Sequence, residues 1–160
     1  MASNESWRSI VASALNWEQA HATIGGAIEG LAPELRGRRP DNFPHSCWEL
    51  LDHIRRTQFD LLDFMRNPNY KEIKWPDEYW PKQPAPKDDA EWNDAVAQIH
   101  RDAKALADFT TSFDGDLTSK IPHGTGQTYL RTVLVAVDHT SYHVGQILAV
   151  RRLLGSWTKS

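Results

Sequence analysis

His139 and His143 stand four residues apart inside the long apolar run from Tyr129 to Leu154. On a helix that spacing puts both imidazoles on one face, one turn apart. Imidazole nitrogen is a borderline-soft donor suited to zinc, nickel, copper and iron. A catalytic zinc site commonly takes three protein ligands and leaves a position open. The pair therefore asks for a third ligand elsewhere in the chain.

Five of the seven histidines remain as candidates. His45 precedes the second predicted helix and falls in a loop. His100 is flanked by Gln98, Arg101 and Asp102 and reads as solvent-facing. His123 sits in a Gly/Pro turn. His21 lies on the inner stripe of the first predicted helix. His53 lies on the inner face of the second, beside Leu50, Ile54 and Thr57. His53 fits best and His21 second. Three histidines from two helices leave room for water or substrate. Metal-bound water titrates near pH ~7 and can act as a nucleophile, and a metal can equally hold an incoming thiolate. Glu49, one turn before His53, is the candidate for a base or an orienting group, in competition with a capping role. Gln58, Tyr142 and Gln146 are candidate polar neighbours of the site. The simpler reading is a set of buried histidines hydrogen-bonded to Ser, Thr, Asp or Gln. Each buried polar group left unpaired costs ~1–3 kcal/mol, which a metal would offset at one nitrogen of each ring.

These residues need elements to hold them. Ile10, Ala14, Trp17, His21, Ile24, Ile28 and Leu31 recur at spacings of three and four, so one helix is predicted over Trp7 to Leu31, weakened at Gly25-Gly26. Ser46-Cys47-Trp48-Glu49 is a capping box that starts a second helix, and Asn67-Pro68 ends it near Arg66. An irregular stretch from Asn67 to about Asp89 follows. It holds five of the nine prolines and Tyr70, Trp75, Tyr79 and Trp80. Disordered linkers are poor in aromatics, so this segment is expected to be pinned against the body. Asp88 or Asp89 caps a third helix to about Phe113, and a fourth runs from about Gln127 to Leu154, with Gly155 as its cap. Four amphipathic helices without a convincing strand predict an all-α four-helix bundle with long loops, in a single domain over residues 1–160. The fourth helix carries two apolar stripes. Val135, Ala136, His139, His143, Gln146, Ile147 and Val150 form one. Leu130, Val133, Leu134, Val137, Ser141, Val144 and Leu148 form the other, which needs cover from a neighbouring helix or a second subunit, and a homodimer is expected.

Charge and composition narrow the function classes. With 18 basic and 21 acidic side chains the net charge is −3, so a nucleic-acid or anionic-membrane partner lacks its basic patch. The single cysteine, Cys47, can form no intrachain disulfide. The N-terminal residues have no apolar run and no segment reaches a membrane span, so a cytoplasmic location is expected. No Gly-rich phosphate loop follows a strand, and there is no nucleophile elbow.

Two segments together resemble the DinB-like (DinB/YfiT-like) superfamily. One is Ser46-Cys47-Trp48-Glu49-Leu50-Leu51-Asp52-His53-Ile54. The other is Asp138-His139-Thr140-Ser141-Tyr142-His143-Val144-Gly145-Gln146-Ile147, with the ending Arg151-Arg152-Leu153-Leu154-Gly155-Ser156-Trp157. The resemblance covers most of the chain. It implies a four-helix bundle, a divalent metal ion (zinc or nickel foremost) on His53, His139 and His143, and frequent homodimers. A small-molecule substrate is the expected partner, and the resemblance does not fix which one. Characterised relatives include S-transferases and isomerases that use low-molecular-weight thiols, which makes a thiol-dependent S-transferase or a metal-dependent hydrolase the expected activity. The alternative from a different class is a non-catalytic, metal-stabilised bundle that binds a small molecule.

Overall fold

The computed structural model describes residues 2–157, with side chains from Trp7 onward. Five α-helices follow one another as α1 (Ala2–Ala14), α2 (Ile24–Ile28), α3 (Cys47–Arg66), α4 (Asp89–Ser112) and α5 (Tyr129–Leu153), and no strand occurs among the described residues. α1, α3, α4 and α5 form a four-helix bundle. α3 packs against both α4 and α5, α1 lies on α4, and the short α2 covers α5.

Local chemistry sets the helix ends. At the start of α3, Ser46 Oγ accepts from the Glu49 N–H at 3.2 Å and Glu49 Oε2 accepts from the Ser46 N–H at 2.8 Å. This is the capping box the sequence spells, and it satisfies two donors that a helix start would otherwise leave bare. Asn67 turns extended (φ −100°, ψ 106°) ahead of Pro68 and closes α3. Asp88 caps α4 by accepting from the Glu91 N–H at 2.9 Å, and Thr128 caps α5 through the Arg131 N–H at 3.2 Å. Gly155 ends α5 at φ +67°, a left-handed conformation that glycine adopts at no steric cost.

The predicted first helix is two helices. α1 stops at Ala14 and α2 begins only at Ile24, capped by Thr23 Oγ1, which accepts from the Gly26 N–H at 3.1 Å. Gly25 and Gly26 lie inside α2, so the break precedes them, and the Thr23 side chain gives the backbone its fresh start. Ile10 (55% exposed) and Trp17 (45% exposed) do not lie on the inner stripe that their spacing suggested. His21 is also exposed, with its Nδ1 hydrogen-bonded to the Ala22 carbonyl at 2.9 Å. His21 is therefore not the third ligand.

The core falls into two apolar clusters. One gathers Leu50, Ile54, Ile99, Val144 and Ile147 with Ile24 and Ala27 of α2. The other gathers Leu62, Met65, Leu106, Val133 and Ala136 with Leu15. Burying side chains of this size contributes about 1.5–3 kcal/mol each. Gln58, 1% exposed, lies on α3 between Ile54 of the first cluster and Leu62 of the second. The second stripe of α5 finds most of its cover within the chain, since Val133, Val144 and Leu148 are buried and Leu134 stays 48% exposed.

The loop from Asn67 to Asp88 is pinned, as its aromatics suggest. Tyr70 and Tyr79 each donate a hydroxyl to Asp60 on α3, at 2.8 and 2.7 Å. Arg56 donates to the Glu78 carbonyl at 3.0 Å. Both arginines that follow on α3, Arg55 and Arg56, are themselves held by the buried Asp52 at 2.7 and 2.6 Å. The result is to lay Tyr79 and Trp80 directly over the inner face of α3.

Candidate metal centre

α3 contributes His53 and α5 contributes His139 and His143, and one nitrogen from each lies within 4.8 Å of the other two. His53 and His143 are buried and His139 is half-buried. The ring centroids are 4.4–4.7 Å apart. The i, i+4 spacing stacks the two α5 rings on one face, and the close packing of α3 on α5 brings His53 to them.

Each ring's tautomer can be argued from its outer nitrogen. His53 Nδ1 lies 2.9 Å from the Tyr79 carbonyl oxygen, which can only accept, so Nδ1 carries the proton and Nε2 presents a lone pair. His143 Nδ1 lies 2.7 Å from Gln146 Oε1 and donates to it, which leaves its Nε2 bare as well. His139 Nε2 points at His53 Nε2 from 2.9 Å, and its Nδ1 is buried without a protein partner. Two imidazoles thus have the outward hydrogen bond that orients metal-binding histidines and raises their basicity. Metal–nitrogen bonds of ~2.0–2.1 Å require ligand nitrogens ~3.0–3.4 Å apart, so the observed contact is a few tenths of an ångström short of a ligand pair. Three imidazole nitrogens so placed can hold a divalent metal ion.

Electrostatics favours the same reading. Burial pushes His53 down to about 4, against the opposing bond from Tyr79, with the neighbouring His143 and His45 adding to the depression. Burial pushes His139 down to about 3, and the other two rings contribute. Burial also lowers His143, while the Gln146 bond opposes it. At neutral pH the rings are uncharged, which is the ligating form.

The aromatic loop builds the roof. Trp80 stacks on His53 at 3.9 Å with the rings 4° from parallel, and His45 stacks on the other face of Trp80 at 4.2 Å. Trp75 tilts toward His53 at 6.4 Å, and Tyr142 meets His143 edge-on at 4.9 Å. Trp75 and Tyr142 remain largely exposed, so this side of the cluster faces outward.

The other sequence candidates separate from the cluster. His100 and His123 are exposed, and His123 Nε2 contacts the Phe64 carbonyl at 2.7 Å. Gln146 orients His143 as a neighbour should, whereas Gln58 turns to Thr140 Oγ1 at 3.1 Å. Glu49 is buried with its carboxylate engaged. Oε2 accepts from Ser46 N–H and from Arg39 Nε, both at 2.8 Å, and Oε1 accepts from Arg39 Nη2. Burial raises the Glu49 pKa, but these bonds outweigh it and hold the carboxyl below its usual range. Sequence reasoning did not foresee the Tyr79 carbonyl, Asp60 or the two-sided stacking of Trp80. The density of aromatics in the loop was the one signal that pointed there.

A family model described as the DinB superfamily matches residues 16–147. The chain belongs to the DinB superfamily. No curated protein and no solved structure matches it. The matched span contains all three histidines and the whole of the aromatic loop, and it stops short of the last turns of α5. This DinB protein is thus helical, carries a three-histidine group that can hold a metal ion, and has no described helix long and apolar enough to cross a membrane.

Proposed function

We propose that this DinB protein is a divalent-metal-dependent enzyme, most simply a thiol-dependent S-transferase, with His53, His139 and His143 as the metal ligands. The observation that carries the reading is the convergence of three neutral imidazoles, two of them fixed by outward hydrogen bonds to Tyr79 and Gln146. A bound divalent ion would supply Lewis acidity, lowering the pKa of a thiol or water so that a nucleophile exists at neutral pH. The chain's own residues do the rest. Tyr79 and Gln146 hold the rings in their ligating tautomers. Trp80 shields one face of His53 from water, and Trp75 and Tyr142 offer apolar surface at the outward side where a substrate would rest.

Between thiol transfer and hydrolysis, Glu49 is the discriminating residue. Its carboxylate caps α3 and pairs with Arg39, which leaves it poorly placed to take a proton from water. A thiol activated by the metal alone needs no such base. The same engagement of Glu49 favours, as a second reading, a metal-stabilised bundle that binds a small molecule without chemistry. A homodimer joined through the exposed α5 ridge of Leu134, Tyr142 and Leu153 belongs to the same proposal, and a monomer in sedimentation would remove it.

The test is elemental analysis of untagged protein, wild type beside His53→Ala, followed by assays with small thiols. About one metal per chain, lost in the variant, supports the site. Thiol displacement of a labile metal-bound water separates the enzyme from the saturated structural metal. Absence of metal after incubation with zinc, nickel and manganese sinks both readings.

A further inference from the structure

Between the end of α1, the start of α2, α4 and α5 lies a cavity of about 250 Å3, on the side of α5 away from the histidines. Leu15, Ile24, Ile99 and Val144, all buried, form its inner walls with Ala103 and Val137. Its mouth has another character. Asn16, Trp17, His21, His100 and Lys104 line it and are exposed. The Asn16 carboxamide, the Trp17 indole and the His100 imidazole make no hydrogen bond to any described residue, so each has an N–H to give. The His100 ring rests beside α2, its Cε1 3.8 Å from where a Cβ on Gly25 would stand. Lys104 supplies a cation. It pairs with Asp108 one turn on at 2.6 Å, with both side chains largely exposed (74% and 59%), and exposed pairs of that kind are weak. No aspartate or glutamate is among the residues that line the cavity, although the chain carries 21 acidic side chains against 18 basic ones.

We propose that this cavity binds a small amphipathic monocarboxylate, its apolar body between α1, α4 and α5 and its carboxylate at the mouth beside Lys104. An apolar cavity of ~150 Å3 admits benzene, so the larger volume here takes one ring with small substituents. Water in the inner part would have few polar partners, and an apolar body displaces it favourably. An ionised carboxylate only accepts, which matches a mouth whose unengaged groups are donors, and its charge complements the ammonium. A cationic headgroup would meet Lys104 and no lining carboxylate. The site is separate from the metal centre and does not rest on the metal reading. The two sites use different faces of α5, His139 and His143 on one and Val137, Thr140, Ser141 and Val144 on the other.

The test uses benzoate and benzamide, which match in shape and differ in charge. Binding to the full-length protein is followed by amide NMR titration at neutral pH, with and without a metal chelator. Benzoate should bind about fivefold more tightly than benzamide, equally well in both conditions. The shifts should concentrate at residues 16–24, 99–107 and 137–144. Lys104→Gln should bring the two affinities to within about twofold, by weakening benzoate. Asp108→Asn releases the ammonium and should tighten benzoate by about twofold without moving benzamide, whereas a merely structural ion pair would move both probes together. Ala103→Leu, on the cavity wall, should weaken both by about tenfold while leaving metal content unchanged. Failure of wild type to bind benzoate at millimolar concentration would overturn the proposal. So would equal affinity for benzamide, a benzoate preference that survives Lys104→Gln, or binding that chelator abolishes with shifts confined to the histidine cluster.

Discussion

His139→Gln should abolish metal-induced stabilisation while leaving the metal-free fold almost untouched. In the metal-free protein His139 makes one polar contact, with His53 Nε2, and its Nδ1 has no protein partner. Removing it leaves His53 Nε2 unpaired, a loss of ~1–3 kcal/mol, but it also removes a buried unpaired nitrogen of comparable cost. Glutamine keeps most of the volume, so the net change should be within about 1 kcal/mol. Metal binding is a separate quantity. At a free concentration a hundredfold above the dissociation constant it adds ~2.7 kcal/mol. At the usual specific entropy of unfolding, a chain of 160 residues gains about 8 °C in Tm from that amount. Thermal melts with chelator and with zinc or nickel should thus show a shift of roughly 8 °C in wild type and about 1 °C or less in His139→Gln. His53→Ala is the useful contrast, because it also removes the Trp80 stack and the Tyr79 bond and should lower the metal-free Tm as well. Equal shifts in wild type and His139→Gln would refute the assignment of this ring as a ligand.

Four further outcomes follow from the same geometry. Asp60→Asn weakens the hold on Tyr70 and Tyr79, and through the Tyr79 carbonyl it should reduce metal affinity by about tenfold, read by chelator competition. Glu49→Ala removes half of the capping box and the Arg39 partner and should cost ~1–2 kcal/mol in urea unfolding, with metal content unchanged. In the metal-free protein, His53 and His139 titrate near about 4 and 3, below the ordinary histidine value of ~6.5. The unfolded chain therefore binds protons first, and stability present above pH ~6.5 should fall as pH drops toward 4, by up to ~1.4 kcal/mol per pH unit for each ring, checked by urea melts across that window. Gly37→Ala would place a Cβ 2.3 Å from the Ala85 Cβ, so the contact between the two loops must shift, at a cost of ~1–3 kcal/mol in the same assay.

What the sequence made legible is what short-range chemistry decides. The capping box at Ser46 and Glu49, the stop at Pro68 and the glycine at 155 are local signals, and each appears in place. The i, i+4 histidines were legible because helical periodicity alone puts them together. Their partnership with His53 needed the packing of α3 on α5, which the inner-face pattern of both helices implied. The break after Ala14 was not legible, because apolar spacing continued through it and only the Thr23 cap marks the new start. The roof was not legible either. A main-chain carbonyl has no sequence signature, and the register that sets Tyr79 O on His53 Nδ1 depends on Asp60 collecting two tyrosines from a loop of many prolines.

The buried polar atoms of α3 and α5 divide into those the fold consumes and those it leaves available. Asp52 and Asp60 are saturated by arginines and tyrosines, and Glu49 by Ser46 and Arg39; each fixes a loop or a helix end. Thr57 Oγ1, Gln58 Oε1, His139 Nδ1 and Arg151 Nε are not consumed, although all four are sealed from solvent. A core selected for stability alone would fill such positions with apolar side chains, since an unsatisfied group costs more than a hydrogen bond returns. At His139 a metal ion would act through Nε2, the nitrogen that faces His53, and would leave Nδ1 unpartnered. Thr140, bonded to Gln58 at 3.1 Å and adjacent in sequence to His139, is the link between α3 and the histidine turn of α5.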